Sequence, residues 1–343
     1  MLFFRLQLGP KNDQATKLFQ IGRLKSDIRC QRDYFIVAEP IETSAPRKRL
    51  KSLLFDDLRS DTFDVVELYK GHKKLGDGIG FDNSATIKLS KALPPTQRGK
   101  VHRELRAEMA KVLSDGRKSL EVSLRDLIKE YFAIFERPGT HDLLGSLCIP
   151  FVDKAMGILS GIQLEKELSS SLVDIFNPSV SFRRRRQLED AVRKFFKDDA
   201  EGPSTCALAI NTMGRDALIG ALAKSMHLQF LNTKGQALNS IPFPVVPLAT
   251  GVPHLWRVRT DDVEQTDFHE CRLDQFEGES DDVRQNFFGT GKHTCLGKVH
   301  TLAIFQGIST YLAQCERVVL RTELETVNSY FLTVTKTFQV ELG

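Results

Sequence analysis

The chain has 343 residues, 41% of them apolar and 27% charged, with a formal charge of +4 at pH 7. That balance suits a globular protein with enough chain to bury a large core, and the charge is too small to imply a nucleic-acid partner. No run of about 18 or more apolar residues occurs, so no membrane-spanning segment is expected. The apolar part of MLFFRLQLGPKNDQ is too short for a secretion signal, and a cytoplasmic protein is expected. Early segments are mixed, with strand-like runs at YFIVAEP (Tyr34 to Pro40) and DVVELY (Asp64 to Tyr69). Pro94 and Pro95 then introduce a helical pattern, TQRGKVHRELRAEMAKVL, with Leu105, Met109 and Val112 on one stripe. Helix continues through Tyr131 and returns from Leu143 to Leu159.

Asn177-Pro178-Ser179 breaks the pattern before the basic run FRRRRQLEDAVRKFF. Without interleaved aromatic readers, this run reads as a solvated helical face rather than a nucleic-acid contact. Another helix is expected from about Ser204 to Met226. The proline-rich IPFPVVPLATGVP (Ile241 to Pro253) follows, and HLWRVRTDDVE and TVTKTFQVEL alternate as strands do. No repeat, linker or composition break divides the chain, so residues 1–343 are expected to form a single domain, mainly α with a minor β region.

The cysteines Cys30, Cys148, Cys206, Cys271, Cys295 and Cys315 form no Cys-x-x-Cys pair and no zinc spacing. Most are expected to be buried apolar residues. Cys295 differs, because it lies in FFGTGKHTCLGK, among glycines and cations. Leu302, Phe305, Ile308 and Leu312 behind it share one helical face, so the thiol sits at the entry to a core helix. Backbone N–H groups at such an end lower a thiol pKa. Gly289, Gly291 and Gly297 let backbone or a flat ligand approach, and Lys292 and His293 add positive charge. Such a thiolate suits a nucleophile or a metal ligand.

FGTGKHTCLG (Phe288 to Gly297) resembles the heme-binding loop of the cytochrome P450 superfamily: Phe, two residues, Gly, three residues, Cys, one residue, Gly. The resemblance implies a P450-like fold and heme b, with Cys295 as the thiolate ligand of iron, Phe288 beside the sulfur and His293 at a propionate. His102 and Arg106 are four apart on one helical face and resemble the family's propionate-binding His-x-x-x-Arg pair. Arg257 resembles the strand arginine that holds the other propionate, with Arg259 as its neighbouring competitor. The likeness covers residues 94–343, and residues 1–93 are weakly matched. It implies a small-molecule substrate, oxidised in specialised metabolism, with a separate ferredoxin or reductase as electron source.

Two departures bear on chemistry. Thr205 to Ala223 resembles the long helix that crosses over the heme, where the family carries a glycine, an acid and a threonine. Gly214 and Asp216 are present, but Ala217 stands at the threonine position, so the acid keeps a proton that the missing hydroxyl cannot relay. Gly214 is expected at a kink or a close ligand approach. The family's Glu-x-x-Arg pair, which braces the cysteine loop, occurs nowhere in the chain, and the stretch from Lys224 to Pro253 looks shortened. Peroxide use, substrate-assisted proton delivery or redox-neutral chemistry would suit these changes. The contrasting reading is a non-catalytic heme-binding sensor or partner protein.

Overall fold

The computed structural model describes residues 63–64, 68–97, 99–176, 180–198, 204–247, 254–259, 266–271, 288, 294–328 and 333–343. The expected strand at Tyr34 to Pro40 lies outside them. Helices α1 (Leu68–Ile79), α2 (Ser84–Lys91), α3 (Gly99–Phe132), α4 (Ile149–Ser160), α5 (Lys166–Ser171), α6 (Phe182–Asp198), α7 (Ser204–Asn232) and α8 (Lys298–Leu312) make up most of this structure. Strands β1 (Phe63–Asp64), β3 (His254–Arg259) and β4 (Thr266–Cys271) form one antiparallel sheet, and β2 (Gly139–Asp142), β6 (Thr333–Leu342) and β5 (Val319–Asn328) form another. The fold is therefore mainly helical with a small antiparallel component. Of strand-like DVVELY, Asp64 lies in β1 and Leu68 and Tyr69 open α1, while residues 65–67 lie outside the described residues. Leu68, His72, Leu75 and Ile79 recur at helical spacing, and α1 begins at Leu68.

The helix expected to continue through Tyr131 is one helix of 34 residues, α3. Its buried stripe runs through Met109, Leu113, Leu120, Leu124, Ile128 and Phe132. No proline interrupts it, and Gly116 within it is a packing site rather than a break. A Cβ there would lie 2.3 Å from the Leu159 carbonyl oxygen, so the end of α4 crosses α3 at backbone contact. That end is closed by Gly161, whose φ of 75° is the left-handed cap conformation that glycine adopts without strain.

α7 lies among the other helices and buries residues on most faces, including Leu208, Leu222, Met226 and Phe230. A chain of rings ties it to its neighbours: Phe151 to Phe132 at 5.6 Å, Phe132 to Phe135 at 5.9 Å, Phe135 to Phe230 at 5.7 Å and Phe230 to Phe338 at 6.1 Å. Each such fully buried ring contributes on the order of 2–3 kcal/mol of burial, so the ring chain fixes α3, α4, α7 and β6 together.

The basic run forms α6, and it is more than a solvated face. Arg184 reaches the buried Asp174 at 2.7 Å. Glu189, buried, accepts from the backbone N–H groups of Ala85 and Thr86 at 3.0 and 2.9 Å and from Thr86 Oγ1 at 2.8 Å. A carboxylate thus satisfies the otherwise unpaired N–H groups at the start of α2. Arg193 neutralises it at 2.8 Å and also grips Asp82 at 2.7 Å. Between Asn232 and His254, the described residues contain a short 3-10 turn, Leu238–Ser240, and an isolated bridge from Ala237 to Val318.

Candidate active site

Cys295 stands just before α8. Its N–H donates to the Phe288 carbonyl at 2.7 Å, and its own carbonyl accepts from Lys298 N–H at 3.4 Å as α8 begins. Phe288 is buried, and the Lys298 ammonium lies 5.8 Å from the centre of its ring. Cys295 is exposed as a residue, yet its thiol is desolvated. This desolvation is the strongest influence and raises the thiol pKa, while the N–H groups of Gly297 and Lys298 and the Arg106 charge pull it down. The helix-end lowering expected from sequence is present but outweighed.

Gly297 has an ordinary φ of −77°, so the backbone does not require glycine there. A Cβ would instead lie 3.6 Å from Cys295 Sγ, filling space beside the sulfur. Facing the loop is α3, where Arg106 Nη2 donates to the Thr294 carbonyl at 2.7 Å. Burial lowers the Arg106 pKa and the Cys295 sulfur raises it. His102, one turn earlier on α3, is buried. A thiol with backbone donors, an adjacent guanidinium and a neighbouring glycine form a donor set that fits heme held through thiolate.

The structure therefore brings Cys295, Phe288, Gly297 and Arg106 together, with His102 beside Arg106. Gly291 and His293 lie outside the described residues. Arg257 occupies the middle of β3, opposite Asp64 of β1 and Phe268 of β4.

On α7 the expected centre has a different neighbourhood. Met213, Gly214, Asp216 and Ala217 are partly exposed between buried stretches of the helix, Cys206 to Thr212 and Leu218 to Ala223. The Cα of Gly214 faces α4, where a Cβ would meet the Met156 methyl at 2.9 Å, so the room made by this glycine is filled by a side chain. α7 also runs on as one 29-residue helix. Next to it Arg215, buried, holds Asp153 of α4 through both carboxylate oxygens at 2.5 and 3.1 Å. Its remaining nitrogen holds Asp216 Oδ1 at 2.9 Å.

The other oxygen, Asp216 Oδ2, is buried with no hydrogen-bond partner among the described residues. Burial is the largest influence on Asp216 and raises its pKa, against the pull of Arg215. Sequence reading passed over Arg215 and Asp153. The signal was a charge inside an apolar helix on both sides, FVDKAMGIL and INTMGRDALIG, because such charges are buried only when paired.

No protein-family model and no curated protein matches the chain. Solved structures do. P450 RauA complexed with a biosynthetic intermediate of aurachin RE superposes with a TM-score of 0.62 at 13% identity, over 97% of this chain and 98% of that one. The tirandamycin C-bound P450 monooxygenase TamI gives 0.60 at 16% identity, over 86% and 88%. A thermophilic cytochrome P450 from Sulfolobus tokodaii gives 0.57 at 14%, over 92% and 99%. The chain has the cytochrome P450 fold. No helix among the described residues is long and apolar enough to cross a membrane.

Proposed function

We propose that the chain is a heme-thiolate oxidoreductase of the cytochrome P450 type, acting on a small-molecule substrate in specialised metabolism. The observation that carries this reading is Cys295, backed by backbone donors at the head of a core helix, with Arg106 across from it. The fold shared with TamI and RauA supports it, as does the biosynthetic intermediate bound to RauA. Cys295 would ligate the iron of heme b, and His102, Arg106, Arg257 and His293 would meet its propionates. Bound there, heme supplies an iron whose thiolate ligand favours O–O cleavage.

The chain's own contribution to proton handling rests on α7. Asp216 is fixed through Oδ1 by Arg215, leaving Oδ2 as the atom at which a proton is held or passed on. Ala217 has no proton to relay, so the next donor is water or a hydroxyl or amine of the substrate. Electrons come from a separate ferredoxin or reductase, or peroxide replaces them.

The absorption spectrum of the reduced protein under carbon monoxide tests the assignment. A strongly red-shifted Soret band in wild type, lost in Cys295→Ser, is expected. An unshifted band in wild type, or no bound heme, would remove Cys295 from the role. Heme bound through Cys295 without turnover of a broad substrate panel, with reductase or with peroxide, would favour the sensor or partner reading.

A further inference from the structure

The cysteine loop lacks the Glu-x-x-Arg pair, yet the described residues around it are pinned, and the pins run to α3. Arg106 Nη2 donates to the Thr294 carbonyl at 2.7 Å, one residue before the cysteine. A guanidinium bond of this kind is charge-assisted, and it sets the peptide that carries Cys295 N–H onto the Phe288 carbonyl at 2.7 Å. Five residues after the cysteine, the buried His300 places Nε2 3.0 Å from the Leu113 carbonyl. A carbonyl only accepts, so Nε2 carries the proton in this bond. Further along α8, a Cβ on Gly307 would lie 2.6 Å from Ile128 Cδ1, so α8 rests directly on α3. Arg106, Leu113 and Ile128 share one face of α3, since separations of seven and fifteen residues are close to whole numbers of turns.

We infer that α3 is the brace of the cysteine loop, with Arg106 as a positioning residue acting on Cys295 through the Thr294 carbonyl and His300 fixing the first turns of α8. This goes beyond a propionate role for Arg106, and it rests on the reading of Cys295 as the ligand only for its functional meaning. The contacts themselves belong to the polypeptide.

Hydrogen exchange on the full chain as purified tests it, comparing wild type, Arg106→Met, Arg106→Lys and His300→Phe. Losing a charge-assisted bond should raise exchange at the Cys295 amide roughly tenfold in Arg106→Met. Peptides from α4 and α7 should be unchanged, and Arg106→Lys should recover part of the protection, because an ammonium can still donate to the carbonyl. His300→Phe should raise exchange in the first turns of α8 instead. Unchanged exchange at residues 294–301 in Arg106→Met would overturn the inference. So would a rise spread evenly through the core, the mark of general destabilisation. The carbon monoxide spectrum of the same wild-type sample keeps the two readings apart. Arg106-dependent protection in a chain that binds no heme would uphold the brace and sink the proposed function. A red-shifted band without Arg106-dependent protection would do the reverse.

Discussion

The two sides of the candidate site differ in how they are built. On the cysteine side, chemistry sits in the loop and support comes from one helix: Cys295 follows Phe288 and precedes α8, and α3 supplies Arg106 and the Leu113 carbonyl. On the α7 side, residues that read as chemistry in sequence are engaged in packing and charge pairing. Gly214 admits Met156, and Arg215 joins α7 to α4 through Asp153 while holding Asp216. A motif whose partners lie within a few residues survives as a local pattern. A centre whose partners come from another helix is read correctly only once that helix is placed.

The sharpest way to break this contrast is to remove Arg215. Methionine keeps its volume but leaves Asp153 and Asp216 without their shared cation. Loss of one member of a buried ion cluster costs roughly 3–5 kcal/mol, and the lower end is expected because the Asp153 side chain keeps 23% exposure. Urea unfolding should show the midpoint fall in Arg215→Met and partly recover in Arg215→Met/Asp153→Asn/Asp216→Asn. Recovery would show that stranded carboxylates cause the loss. Equal stability of Arg215→Met and wild type would mean that the cluster contributes nothing.

A second test uses pH away from the site, where the buried His72 of α1 donates from Nε2 to the Ile175 carbonyl at 3.0 Å. Burial, helped by the Arg185 charge and opposed by the Ile175 carbonyl, lowers its pKa from 6.5 to about 4. As pH falls through that window the unfolded chain takes up a proton that the folded one refuses, so stability should drop, by about 3 kcal/mol at the acid end. Asp216 and Asp174 act in the opposite sense, because their raised pKa values let the folded state bind protons first as pH falls. The difference between wild type and His72→Gln isolates the histidine. A flat difference between pH 6.5 and about 4 would show that His72 titrates normally.

Much of the architecture was legible because it is periodic. The helices α3 and α8 and the strands β3 and β6 follow from spacing, and Phe305, Ile308 and Leu312 are buried as expected with Leu302 partly so. On α3, by contrast, the buried stripe takes Met109 and Leu113 and leaves Leu105 and Val112 partly exposed. The packing role of Gly116 in α3 was not legible, since nothing local shows that the glycine faces a carbonyl from α4. The cysteine loop was legible because its sulfur, its backbone donors and the helix behind it lie within ten residues of sequence. Arg106 was found as a cation but not as a support of Thr294, which is 188 residues away.

Two glycines in long helices separate structural need from apparent function, and they should respond differently to the same methyl group. Gly116→Ala forces a Cβ to within 2.3 Å of the Leu159 carbonyl oxygen, which no side-chain rotation relieves. Overpacking of that kind costs about 1–3 kcal/mol, enough to exceed the gain of about 1 kcal/mol in helix propensity. Thermal unfolding should show a lower midpoint, and an unchanged midpoint would mean that α3 and α4 can separate freely.

Gly214→Ala meets only the Met156 methyl at 2.9 Å, the far end of a flexible side chain. Rotation of that methionine can make room, and the same gain in helix propensity offsets the cost, so stability should stay within about 1 kcal/mol of wild type. The informative readout is then ligand behaviour. If Gly214 serves packing against α4, Gly214→Ala should bind heme and substrate as wild type does. Unchanged stability with weakened heme or substrate binding would return Gly214 to the ligand side of α7, and it would show that the expectation of a close ligand approach described this helix better than its contact with Met156.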